Sequence, residues 1–172
     1  MTKSIFLIEV HGFTSGKTDF AERIRNIPLD LLEPLAQLID GTDESSSDPN
    51  SKKFISIAIV GHADRQDIAG RTDEQRRESE RQGAQARADS ASTWLLNKLG
   101  DLQDPGGVIE LDWRGVNNIG VATIANGAAR LINPNSGTNE NLCAQNRRVE
   151  FLVTSIDVNE TQGLDNRNIT IG

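Results

Sequence analysis

The sequence contains no tyrosine and a single cysteine, Cys143. One thiol can form neither an intramolecular disulfide nor a thiolate metal cluster, so the fold must be held by its core. Aromatic residues make up 4% of the chain, too few to stack the bases of a single strand or to line a glycan groove with rings. Positive charge is also scarce: 18 Lys and Arg stand against 25 Asp and Glu, for a net charge of −7. Binding a polyanion takes a surplus of cations, so nucleic acid is excluded as a partner and any anion must be met locally. Long apolar runs are missing too. The start, MTKSIFLIEV, is broken by Glu9 and too short for a signal-peptide core, and no later segment could span a bilayer. The chain is therefore expected either to stay in the cytoplasm or to be a piece of an exported or anchored protein.

The 172 residues, 36% hydrophobic and 25% charged, suit one soluble domain. SIFLIEV reads as a first strand over Ile5 to Val10. PLDLLEPLAQLIDG places Leu31, Leu35 and Leu38 at helical spacing, with Pro34 inside the pattern and Gly41 as a stop. Residues 42–53 are a loop by composition, and FISIAIVGHAD is a second strand. In AQARADSASTWLLNKLG, Ala84, Ala88, Ala91, Leu95 and Leu99 form one apolar stripe. That helix begins anywhere between Thr72 and Ala84, because the charged stretch before it has no apolar face. GGVIELDW and GVATIANGAARLI are strand-like, and NRRVEFLVTSID alternates Val149, Phe151 and Val153 against Arg148, Glu150 and Leu152. Residues 158–172 form a polar tail, with Ile169 to Ile171 as a docking strand. The order of elements predicts a two-layer α+β domain over 1–157, with helices on one face of a mixed sheet.

Few residues offer chemistry. Gly61 marks the end of the second strand, so Asp64 becomes a fixed carboxylate at a rim, serving either as a turn cap or as a ligand group. His62 and Asp64 form an H-x-D pair, with His11 leaving a neighbouring strand, but this is a weak spacing signal for a metal. GFTSGKT imitates a phosphate loop, yet the position five before Gly16 holds His11, so the spacing fails by one residue. No metal, nucleotide or other cofactor is expected. No serine or cysteine sits in a catalytic motif and two histidines leave little general-base chemistry, so no enzyme is expected.

Taken in order, VGHAD, the alanine-striped helix, the glycine-containing strand and NRRVEF resemble the OmpA-like peptidoglycan-binding domain of outer-membrane protein tails, peptidoglycan-associated lipoproteins and flagellar stator subunits. The resemblance covers about Ile5 to Asp157. It implies non-catalytic binding of peptidoglycan through the diaminopimelate of the stem peptide. Such binding would anchor a larger assembly to the wall in the periplasm or envelope. Asp64 matches the aspartate that meets the ligand's ammonium, and Arg87 the helix arginine that holds its carboxylate. That chemistry is sound, since a zwitterion needs one anion and one cation, and a guanidinium takes a carboxylate bidentately. Arg87 could instead snorkel or simply pair with Asp64. Arg147 and Arg148 fall on opposite faces of a strand, and the resemblance favours Arg148; Phe13 and Thr14 would line the pocket. The chain departs from the family in Ala63, where threonine is usual, in the long separation of Asp64 from Arg87, and in the loop 42–53. The charged insertion, about 68–83, supports a rival reading in which the domain is an adaptor that binds a protein partner and no peptidoglycan.

Overall fold

The computed structural model describes residues 2–32, 53–65, 69–103, 117–157 and 165–171. Five strands, β1 (Thr2–Val10), β2 (Lys53–Gly61), β3 (Asn117–Ala125), β4 (Val149–Asp157) and β5 (Asp165–Ile171), form one sheet in the order β3-β2-β4-β1-β5. The central β4 is antiparallel to β1 and β2, whereas β3 and β5 run parallel to β2 and β1. Val149 opens β4 opposite both Val10 and Gly61, which close β1 and β2. Four strands therefore end, and the fifth begins, at the same end of the sheet. The segments leaving those ends carry the chemistry.

Period-two patterning places the core. Ile8, Val10, Ile57, Ile59, Val149, Phe151 and Val153 are buried on one face, while Leu152 on the other is 42% exposed. Helices α1 (Phe20–Ile24) and α2 (Asp73–Gln103) cover the buried face. The mixed sheet with helices against one face is the α+β arrangement expected from the order of elements. Ala84, Ala88, Ala91 and Leu95 of α2 are fully buried, so the small residues of the stripe bring helix and sheet close. Gly61 makes the tightest approach possible: a Cβ there would lie 1.8 Å from the Ala84 carbonyl oxygen. Phe20 fills the layer between α1 and the sheet, with ring centroids 5.2 Å from Trp94 and 5.5 Å from Phe151. Its amide donates to Ser90 Oγ at 2.9 Å, tying α1 to α2.

The charged stretch before Ala84 is helical from Asp73. A reciprocal capping box starts it, the Thr72 amide donating to Gln75 Oε1 at 3.0 Å and the Gln75 amide to Thr72 Oγ1 at 3.2 Å. Pairs one turn apart, such as Arg81 with Glu78 at 2.8 Å, then support a segment with no apolar face. What reads as an insertion at 68–83 is thus mostly the first turns of α2. The strand-like stretch GVATIANGAARLI divides at Ala125, after which the chain turns at Gly127 with φ +55. The docking strand begins at Asp165, so much of the polar tail is part of the sheet. Of the helix expected from Pro28 to Gly41, a 3-10 turn at Leu29–Leu32 is described. Its remainder, the loop 42–52 and GGVIELDW lie outside the described residues. A short third helix, α3 (Glu140–Asn146), precedes β4 with Asn139 as its cap.

Candidate functional site

At the converging strand ends, the structure brings Asp64, Arg87 and Phe13 together. Asp64, 7% exposed, follows β2; its Oδ1 accepts from Asn146 Nδ2 at 2.8 Å and from Ser136 Oγ at 3.2 Å. Its Oδ2 faces a guanidinium of Arg147 at 3.9 Å, too long for a hydrogen bond. One carboxylate oxygen is thus fixed and the other is held loosely.

Arg87 points from α2 across this end of the sheet, 4% exposed. Its Nη1 donates to the His62 carbonyl at 3.0 Å and its Nε to the Lys17 carbonyl at 3.2 Å. Its guanidinium carbon lies 5.5 Å from the centroid of the Phe13 ring. The close approach at Gly61 makes this reach possible, because it seats α2 one turn before Arg87 directly on β2. Burial, with Arg147 adding repulsion and Asp64 partly offsetting both, pushes the Arg87 pKa down to about 10. The group is still charged at neutral pH, but desolvated and short of negative charge.

Arg147 is the residue that supplies a second cation. It is 6% exposed, and its Nε donates to the Phe13 carbonyl at 2.6 Å while another guanidinium nitrogen pairs with Glu140. Arg148, favoured from the family resemblance, lies elsewhere: its Nη2 and Nε reach Glu150 Oε1 at 2.8 and 3.0 Å, and its Nη1 donates to the Arg130 carbonyl at 3.1 Å. Strand alternation is the physical reason. Val149, Phe151 and Val153 face the helix layer, and Arg147 shares their parity, whereas Arg148 shares that of Glu150 and the exposed Leu152. Since Arg87 belongs to a helix, the arginine that meets it had to come from the helix side. The alternating pattern already held that signal.

The remaining candidates divide. Phe13 contributes its ring and its carbonyl, and Thr14 is exposed at the rim, its carbonyl accepting from the Lys17 amide at 3.0 Å. Lys17 pairs with Glu22 at 3.7 Å on the surface, and its part in the site is the carbonyl that orients Arg87. His62 and Asp64 do not point the same way. His62 Nε2 lies 3.1 Å from Glu150 Oε1 in the network of Arg148, and His11 Nδ1 lies 3.1 Å from the Gln145 carbonyl oxygen. Among the described residues no three His, Cys, Asp or Glu side chains could share a metal. Asn146, Ser136 and Glu140 were not singled out from sequence; only Asn146 had a signal, as the first letter of NRRVEF. Asn146 is fully buried and bridges Asp64 to the Asn133 carbonyl, 2.9 Å from its Nδ2. Cys143 lies alongside, its thiol pushed up by burial and by Asp64, so it stays protonated.

The result is a buried site with one carboxylate oxygen loosely paired, two guanidinium groups within electrostatic reach of it, and an aromatic floor. Such a site suits a small zwitterion, an ammonium toward Asp64 and a carboxylate toward Arg87 and Arg147.

No protein-family model matches the chain, and no curated protein matches it. Solved structures do. A periplasmic domain of MotB is 15% identical with a TM-score of 0.42, covering 86% of this chain and 62% of that one. The periplasmic domain of Helicobacter pylori MotB is 15% identical with a TM-score of 0.43, covering 84% of this chain and 73% of that one. The cell wall anchor of the T6SS from Pseudomonas aeruginosa is 18% identical with a TM-score of 0.39, covering 85% of this chain and 77% of that one. The chain spans less than two thirds of the first of these. At these scores the site rests on its own geometry.

Proposed function

We propose that this domain binds peptidoglycan without catalysis, by closing Asp64, Arg87 and Arg147 around the zwitterionic centre of a diaminopimelate residue in the stem peptide. It would thereby hold a larger envelope protein or assembly to the wall from the periplasmic side. The observation that carries this reading is the burial of two arginines beside one aspartate whose Oδ2, among the described residues, meets a guanidinium no nearer than 3.9 Å. Arg147 already pairs with Glu140, but Arg87 donates only to backbone carbonyls among the described residues, and a buried guanidinium so placed is costly until an oxyanion arrives. Binding and not turnover fits the histidines, since His62 is committed to Glu150 and His11 to a backbone carbonyl. Among the described residues no helix is long and apolar enough to cross a membrane. Sedimentation with purified sacculi tests the proposal: the parent domain should pellet with them and be released by free diaminopimelate. Retention in the supernatant, or pelleting that diaminopimelate does not reverse, would favour the adaptor reading.

A further inference from the structure

The face of α2 that carries Ala84, Ala88, Ala91 and Leu95 continues toward the helix start as Asp73, Arg76, Arg77, Glu80 and Arg81, at the same three- and four-residue spacing. Where the apolar stripe packs on the sheet, its charged continuation walls a cavity of about 540 Å³ against the turn at 125–129. Arg65 lines the cavity as well, giving four guanidinium groups and the two carboxylates of Asp73 and Glu80. Asp73 pairs with Arg76 and also attracts Arg77, and Arg81 pairs with Glu78, so Arg65 and Arg77 are the cations of this wall without a close partner among the described residues. Arg65 and Arg77 are exposed and, among the described residues, form no ion pair. This is a local inversion of sign in a chain whose net charge is −7. Like charges gathered in one cavity repel, and an oxyanion relieves that repulsion while matching the fork of arginine donors.

The cavity also adjoins the Asp64 site. The Ala63 amide donates to the Gly127 carbonyl at 2.8 Å and the Asn126 amide to the Gly61 carbonyl at 3.0 Å, so one wall of the cavity is stitched to the segment that carries Asp64. Arg65 is the next residue after Asp64. A peptide seated at Asp64 could therefore extend along this wall toward the arginines.

We infer that this groove is a second subsite, one that takes a carboxylate of the wall peptide beside the zwitterion held by Asp64 and Arg87. The inference rests on the reading proposed for that pocket and extends it. It gives the charged start of α2 a role: its first turns build the cation-lined wall of the cavity.

The test compares two probes, free meso-diaminopimelate and the tripeptide L-Ala-γ-D-Glu-meso-diaminopimelate, by calorimetry and by amide shifts in the NMR spectrum. The parent should bind the tripeptide about five- to tenfold more tightly than the free amino acid, a gain that shrinks with salt. Arg65→Gln/Arg77→Gln, both exposed, should erase the gain and leave free diaminopimelate binding unchanged. Equal affinity for the two probes, or a gain that survives the double substitution, overturns the subsite. If neither probe reaches the Asp64 pocket, the proposed function fails, yet the groove is still read. Tripeptide-induced shifts at the amides of residues 126–129, lost in the double variant, uphold it, and their absence overturns it. Inorganic phosphate at matched ionic strength, if it moves those amides equally, makes the groove a general oxyanion site and overturns the peptide assignment.

Discussion

Replacing Arg148 by methionine should unfold the domain more readily without touching the candidate site. Arg148 is 1% exposed, with Nη2 2.8 Å and Nε 3.0 Å from Glu150 Oε1, Nε 3.7 Å from Glu9, and Nη1 donating to the Arg130 carbonyl at 3.1 Å. Methionine keeps most of the volume but leaves Glu150, 5% exposed, with the His62 imidazole 3.1 Å away and no guanidinium beside it among the described residues. Breaking a buried pair from one side costs about 3 to 5 kcal/mol, because the abandoned carboxylate keeps its desolvation penalty. In a domain of this size that lowers Tm by roughly 6 to 20 °C. Circular-dichroism melts at pH 7 measure it directly. Arg148→Met/Glu150→Gln should recover part of the loss, since the second change removes the stranded charge. At temperatures where both are folded, the single variant should bind sacculi as the parent does. A single variant melting within about 2 °C of the parent, or a double variant less stable than the single, would refute the reasoning.

Gly61→Ala should destabilise by at least about 3 kcal/mol and loosen Arg87, because its Cβ would lie 1.8 Å from the Ala84 carbonyl oxygen; urea midpoints close to the parent's would contradict this. Acid should act through Glu150. Burial alone would raise its pKa, but contact with His62 and the charges of His62 and Arg148 hold it down at about 2. An acid with a depressed folded pKa contributes stability that is complete above its unfolded value, near 4.5, and lost as pH falls toward 2. With solvent screening allowed for, the loss over that window is about 2 kcal/mol, and it should flatten in Glu150→Gln when unfolding is followed against pH.

Much of this was legible before any coordinates. The strands around Ile57 and Phe151 could be read because one face must be apolar, and alternation made them unmistakable. The helix start could have been read as well: T-D-E-Q from Thr72 is a capping box, but without an apolar face the segment carried no periodic signal to attach it to. The choice between Arg147 and Arg148 needed one more step, from strand parity to the layer occupied by Arg87. Ser136 and Glu140 were out of reach, since they come to Asp64 and Arg147 through a turn and a seven-residue helix whose placement depends on tertiary contacts. Edge pairing of β5 was suggested only by its last three residues, because Asp165 to Asn168 are polar and the partner strand decides the matter.

The central claim is that Asp64 and Arg87 hold opposite ends of one zwitterion, and calorimetric titration with meso-diaminopimelate tests it most directly. The parent should bind saturably with one site per chain. Asp64→Asn and Arg87→Lys should each lose at least about 30-fold in affinity while remaining folded, since truncating or blunting one member of a desolvated charged contact costs about 2 kcal/mol or more. Affinities in both variants equal to the parent's, or a folded parent that shows no saturable heat, would contradict it.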